Sequence, residues 1–225
     1  MNIRLFLLLG LCFGVGPLQA DDTITFTDDF ESGAERWEPL NQEKKQTWRV
    51  EKSDKGQSFH QFAHAGKYPG KHRAPMNLAL LKDARVTDFT FEADVKKFKK
   101  GGHQDVCFAF GYQDGNNFYY IHFGSKVDGT SGRILKVKDS PRKSFDQPLN
   151  KETPWNPGQW HHIKVVRDAK AGTITAWFDD MTKPHMQATD KDFTWGQIGI
   201  GSFDDTSLWD NIKLTATVYT ASKDK

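Results

Sequence analysis

From Ile24 to Tyr219 the chain is a run of short segments in which apolar and polar residues alternate, with hardly any sustained helical period. ITFTDDF, TWRVEK, MNLALL, TDFTFEADVKKF, DVCFAFGY, NFYYIHFG, ILKVK, WHHIKVVRD, TITAWFDD, GQIGIGSF and LWDNIKLTATVY are rich in aromatic and β-branched residues, which suit a pleated, half-buried surface. Gly101-Gly102, Asp114-Gly115-Asn116-Asn117, Asp128-Gly129, Asn156-Pro157-Gly158 and Ala171-Gly172 supply turns between them. Many short strands joined by turns predict an all-β protein, a two-sheet antiparallel sandwich. About a dozen strands is more than an immunoglobulin domain holds, and no Cys-Trp-Cys spacing is present, so the expected architecture is a jelly roll.

The opening segment, MNIRLFLLLGLCFGVGPLQA, has a cationic Arg4, an apolar run from Leu5 to Val15, and Ala20 just before Asp21-Asp22. This is the pattern of a secretory signal peptide cut after Ala20, and its apolar run is short of the roughly 20 residues a spanning helix needs. Residues 1–20 are therefore expected to be removed, with 21–225 forming one jelly-roll domain exported to the periplasm or the extracellular space, without a membrane span. Of two cysteines, Cys12 leaves with the signal, so Cys107, set in VCFAF, has no intrachain partner and reads as a buried small hydrophobe. A net charge of +2 with 27% charged residues is close to balance, and with no nucleic-acid motif present it argues against a nucleic-acid partner. The lysines of KKFKK, Lys96 to Lys100, precede Gly101-Gly102 and read as a solvated turn compatible with an acidic polysaccharide.

The order DDFESG, DFTFEADV, DVCFAFGYQDGNNFYYIHFG, GQWHHIKVVRDAKAGTITAWFDD, GQIGIGSFDD and WDNIKL resembles the concanavalin A-like (laminin-G-like) jelly rolls. Within them it is most similar to secreted bacterial modules that include keto-disaccharide hydrolase-like domains and carbohydrate-binding modules. The resemblance covers nearly all of the chain after the signal and implies the fold more than a function. It also implies a structural calcium ion joining the ends of the chain, and by position Asp29, Glu31 and Asp210 match its ligands. Carboxylates suit calcium, which takes six to eight oxygens at about 2.3 to 2.6 Å. The alternative is that these acids only cap turns. No organic cofactor is expected.

Within NNFYYIHFG, Phe118, Tyr120 and His122 share one face of a strand, and Tyr119, Ile121 and Phe123 share the other. Its hairpin partner places Val106, Phe108, Phe110 and Tyr112 on one face and Asp105, Cys107, Ala109 and Gly111 on the other. Tyr119, Ile121 and Phe123 are expected in the core with Phe108 and Phe110. Tyr120 and His122 are then expected to look outward over small neighbours, with His103 and Asp105 further along. Such a face suits carbohydrate, because rings stack on pyranoses while their polar tips bond hydroxyls. Arg133 and Trp177 join the candidate ligand set, with Lys136, Arg142 and Trp155 behind them. Trp160 is expected in the core, and His161 and His162, being adjacent on a strand, point to opposite faces. His60, His64 and His72 fit no metal motif and read as an exposed loop at the rim of the cleft. Loops 57–75 and 125–155 are placed where they could cover it.

FEADVKK offers Glu92 and Asp94 but a lysine where a glucanase would carry its third carboxylate. A polysaccharide lyase would use His122 and Tyr120 as base and acid, with Arg133 neutralising a uronate. The reading is an exported protein that binds a polysaccharide or oligosaccharide on an aromatic sheet face. The alternatives are a sugar-active enzyme, lyase or glycoside hydrolase, on the same fold, or a structural or interaction protein of the cell envelope.

Overall fold

A computed structural model describes residues 22–40, 46–64, 67–82, 84–98 and 105–221; the expected signal peptide and His103 lie outside the described residues. The strands run β1 (Thr23–Asp28), β2 (Trp37–Pro39), β3 (Trp48–Ser53), β4 (Gly56–Gln61), β5 (Asn77–Leu81), β6 (Val86–Lys97), β7 (Cys107–Asp114) and β8 (Asn117–His122). They continue with β9 (Arg133–Lys138), β10 (Lys143–Ser144), β11 (Gln147–Pro148), β12 (Trp160–Asp168), β13 (Thr173–Phe178), β14 (Met186–Thr189), β15 (Gln197–Ser202) and β16 (Ser207–Val218). Every regular element among the described residues is a strand, and no helix is long and apolar enough to cross a membrane.

Nine strands form one sheet in the order β11-β14-β13-β12-β6-β16-β4-β3, with β1 also on β16, and seven form the other in the order β10-β9-β8-β7-β15-β5-β2. Every strand pair is antiparallel, giving the two-sheet jelly-roll sandwich. The two-residue period decides what meets between the sheets. From β6 come Phe89, Phe91, Ala93 and Val95; from β12, Ile163 and Val165; from the smaller sheet, Phe108, Phe110, Tyr119, Ile121 and Phe123. Phe91 and Phe108 stack across the interface at 4.3 Å, and each buried ring of this kind contributes about 1.5 to 3 kcal/mol. The first and last strands are neighbours, Phe26 facing Leu214, as the carry-over of calcium ligands requires.

A second apolar cluster lies on the outer face of the smaller sheet and includes Ala74, Leu78, Cys107, Ala109, Phe118, Tyr120, Leu135 and Phe203. The faces of β8 are therefore divided as the alternation predicts, but the outward one is roofed by loop residues. Tyr112 departs from the expected pattern. A bulge between Phe110 and Asp114, with Gly111 at φ 57°, shifts the phase of β7 and packs Tyr112 on Phe118, 5.2 Å away, outside the sandwich.

Three further corrections follow. Trp160 is not core: its ring lies on the outer face of the larger sheet between Lys55 and Lys96, and its indole N–H donates to Asp54. Trp155 takes the packing role instead, donating to the Phe123 carbonyl at 2.8 Å. Lys97 is not part of a solvated turn, for it falls in phase with the inward row of β6 and is 1% exposed. The stretch beginning at Gln57, read as loop, opens as strand β4, which pairs with β3 and β16.

Candidate functional site

Because the smaller sheet is antiparallel, the ends of β8 and β15 lie beside the starts of β5, β7 and β9. At that end, on the outer face, a cleft of about 690 Å³ is lined by His64, Arg73, Asp105, His122, Asp128, Thr130, Ser131, Arg142, Phe203, Asp204 and Asp205. His122 and Asp105 anchor its floor.

The imidazole Nε2 of His122 lies 2.8 Å from Asp105 Oδ2, with both side chains almost wholly buried. Its Nδ1 accepts the backbone N–H of Gly132 at 3.3 Å. These two bonds together require the tautomer with the proton on Nε2. Gly132 can turn its N–H to the ring because it sits at φ 63°, where a side chain would also strike Val127. Asp105 further accepts the Phe203 N–H at 3.2 Å. Burial alone would push its pKa up, but the bond from His122, with the charge of Lys97 and the Phe203 amide, holds it below the usual carboxylate range. Its own N–H donates to Asp205 Oδ2 at 2.6 Å, and burial with the nearby Asp105 charge raises Asp205.

Phe203 is the hub of the wall. It meets His122 edge to face at 5.4 Å and Tyr120 at 5.9 Å. The guanidinium of Arg142 lies 4.7 Å from its centroid and that of Arg73 5.8 Å. Arg142 also donates to Thr130 Oγ1 at 3.2 Å. Asp128 Oδ1 accepts the N–H groups of Thr130 and Ser131, shaping the loop before β9.

Of the expected ligand set, the structure brings His122 and Asp105 together and keeps Tyr120, Arg133 and Trp177 out of the cleft. Tyr120 is 0% exposed under the loop cover, and burial pushes its pKa far up against the pull of Arg142, so it offers the cleft neither a stacking face nor an acid. Arg133 stands opposite His122 on β9, yet its Nε donates to Asp146 Oδ1 and its NH2 to the Asp146 carbonyl, which turns it away. Trp177 is on the other sheet, half-buried on its outer face beside Lys164. The same face carries His162, whose Nδ1 lies 2.7 Å from Asp94 and Nε2 3.3 Å from Glu92, while His161 points inward to Asp179. His64 does lie at the rim. Phe203, Asp204 and Asp205 were missed as a group because GSFDD reads as an ordinary strand end and turn, and Arg73 because a lone arginine in a Gly/Pro-rich stretch carries no pattern.

The three carboxylates matched to calcium are engaged locally. Asp29 Oδ1 accepts the Glu31 N–H, Glu31 Oε1 the Gln57 N–H at 2.7 Å, and Asp210 Oδ2 the Ser58 hydroxyl at 3.2 Å. Glu31 and Asp210 thus reach adjacent residues of one hairpin, while Asp29 stays on its own turn. The acids that converge within 4.8 Å among the described residues are instead Asp105, Asp204 and Asp205 in the cleft.

No family model and no curated protein sequence matches the chain. Solved structures do. The carbohydrate-binding module CBM66 from Bacillus subtilis is 18% identical, covering 80% of this chain and 96% of its own at a TM-score of 0.56. Cellulose-induced protein Cip1 is 14% identical, covering 88% and 100% at 0.59. The acidic lectin of winged bean, complexed with methyl-α-D-galactose, is 12% identical, covering 88% and 100% at 0.54. The chain has the two-sheet jelly-roll fold of these structures. At these identities the likeness is one of fold, and what the jelly roll does has to be argued from its own cleft.

Proposed function

We propose that this jelly roll binds carbohydrate in the His122–Asp105 cleft, through polar side chains rather than on an aromatic platform. The carrying observation is the lining. Acids, bases and the hydroxyls of Thr130 and Ser131 converge on one space of about 690 Å³ around a single ring, Phe203. A polyhydroxylated ligand matches such a mixture of donors and acceptors better than an apolar one would. Proteins of the same fold include a carbohydrate-binding module and a lectin complexed with a galactoside, which supports the reading without naming the sugar.

A lyase reading has less support. Both nitrogens of His122 are engaged, and a general base must have a free lone pair within reach of the proton it takes. Export completes the proposal, with cleavage after Ala20; N-terminal sequencing of the secreted protein should begin at Asp21. Calcium is a separate proposal resting on Glu31 and Asp210, with carbonyls and water completing the shell, and thermal melting with calcium against chelator tests it.

The binding experiment is retention of the mature protein on neutral and acidic polysaccharides, with absorbance near 235 nm and reducing ends followed in parallel. Retention that Thr130→Ala weakens, with no new product, is the expected result. Unsaturated product would establish a lyase, reducing ends alone a hydrolase, and no retention on any glycan would overturn the reading.

A further inference from the structure

Four acids line the cleft, and yet its two guanidinium groups are not paired with them. No ion pair joins Arg73 or Arg142 to a described carboxylate; both lean on the ring of Phe203, and Arg142 donates to a hydroxyl. Arg133, on β9, is by contrast tied to Asp146, and Arg49 to Glu51; Arg36 also leans on a ring, that of Phe26, but stands there alone.

The acids are turned inward. Asp105 is committed to His122 and the Phe203 amide, Asp205 to the Asp105 amide, and Asp128 Oδ1 to the amides of its own loop. Asp204 is the exposed acid at the rim. A guanidinium is a planar fork of donors that fits a carboxylate or a sulfate ester two bonds at a time. Two such forks braced on one ring face the same space.

We infer that the ligand is an anionic glycan whose carboxylate or sulfate ester is bound by Arg73 and Arg142. This rests on the carbohydrate reading above and narrows it to a substrate class. Phe203 positions the pair, the hydroxyls of Thr130 and Ser131 face the uncharged parts of the sugar, and Asp204 discriminates against excess negative charge.

The test is calorimetric titration of the mature protein with four probes: an oligogalacturonate, its carboxyl-reduced counterpart, a sulfated galactan oligosaccharide, and its desulfated counterpart, each at low and high salt. Binding of a charged probe that is lost in its neutral counterpart and weakened by salt is expected, and which charged probe binds separates carboxylate from sulfate. Arg73→Gln, at an exposed position, should weaken it by about tenfold, and Arg142→Lys, which keeps the charge but loses the fork, by a smaller factor. Asp204→Asn should strengthen it by about twofold to fivefold. Equal affinity for charged and neutral counterparts, or indifference to both arginine substitutions, overturns the anion pair and leaves carbohydrate binding standing. No binding to any of the four overturns the anionic-glycan inference, and the polysaccharide retention panel then decides separately whether carbohydrate binding stands.

Discussion

Lys97 offers a measurement of how the cleft is supported from behind. Its side chain is buried against Trp155, with Nζ 4.7 Å from the ring centroid and no hydrogen bond to a described residue. Burial lowers its pKa from 10.5 to about 8, although Asp205 and Asp105 favour the charged form. A lysine with a depressed folded-state pKa binds its proton more weakly folded than unfolded, so stability is reduced below the folded value and recovers as pH rises from about 8 towards 10.5. At about 1.4 kcal/mol per tenfold change in proton affinity, the penalty at pH 7 is about 3 kcal/mol. Lys97→Met keeps the apolar stem, removes that penalty and loses a cation–π contact of about 1 kcal/mol. The variant should therefore be more stable than the parent by about 2 kcal/mol at neutral pH, with the gap closing or reversing above pH ~10. Urea denaturation of both proteins across that range reads it directly. A variant less stable at pH 7, or a gap that does not change with pH, would refute the argument that burial dominates at Lys97.

In a double-mutant cycle on His122→Ala and Asp105→Ala, each single change should cost about 3 kcal/mol, because it leaves a buried partner uncompensated, and the double should cost much less than their sum; additive losses would show that the pair is not coupled. Gly111→Ala should cost about 1 to 2 kcal/mol, since φ 57° disfavours a Cβ that would also lie 3.1 Å from Phe193 Cβ; an unchanged denaturation midpoint would mean the bulge adapts freely. Trp177→Ala should leave glycan retention unchanged, because its ring lies on the other sheet, and a loss of binding would move the site there.

The fold was legible because alternation is a local signal. All eleven long strand segments recur in the structure, and the division of Tyr119, Ile121 and Phe123 from Tyr120 and His122 follows from a period of two. Of the five strands that went unread, β2, β10, β11 and β14 are four residues or fewer, too short to show a period, and β4, GQSFHQ, holds a single large apolar residue. The site was half legible for the same reason. Alternation identifies which face His122 is on but not whether that face is open, and Tyr120, two residues away, is sealed by Ala74 and Phe203 from distant loops. Arg133 shares the right face and register, and only the position of Asp146, thirteen residues on, decides where its charge is spent. Lys97 misled because a lysine-rich end of a strand looks solvated until its phase places one member of the run inside.

The outer face of the smaller sheet is apolar along Cys107, Ala109, Tyr120 and Leu135, so loops must cover it, and the cleft is where that cover stops. Phe203 stands at this edge, 4% exposed, with the apolar cluster on one side and the two arginines on the other. Its two duties can be separated. Phe203→Ala removes both and should cost about 3 to 5 kcal/mol as the cover loses its contact with Tyr120 and His122. Phe203→Leu retains most of the burial and should cost less than about 1.5 kcal/mol, but it abolishes the ring's electrostatic hold on the guanidinium groups. If the ring orients Arg73 and Arg142, the leucine variant should melt near the parent temperature and bind glycan several-fold more weakly, with the affinity for the charged probe falling most. Parental affinity in a stable leucine variant would show that the loops place the arginines without the ring, and that the aromatic residue serves the cover alone.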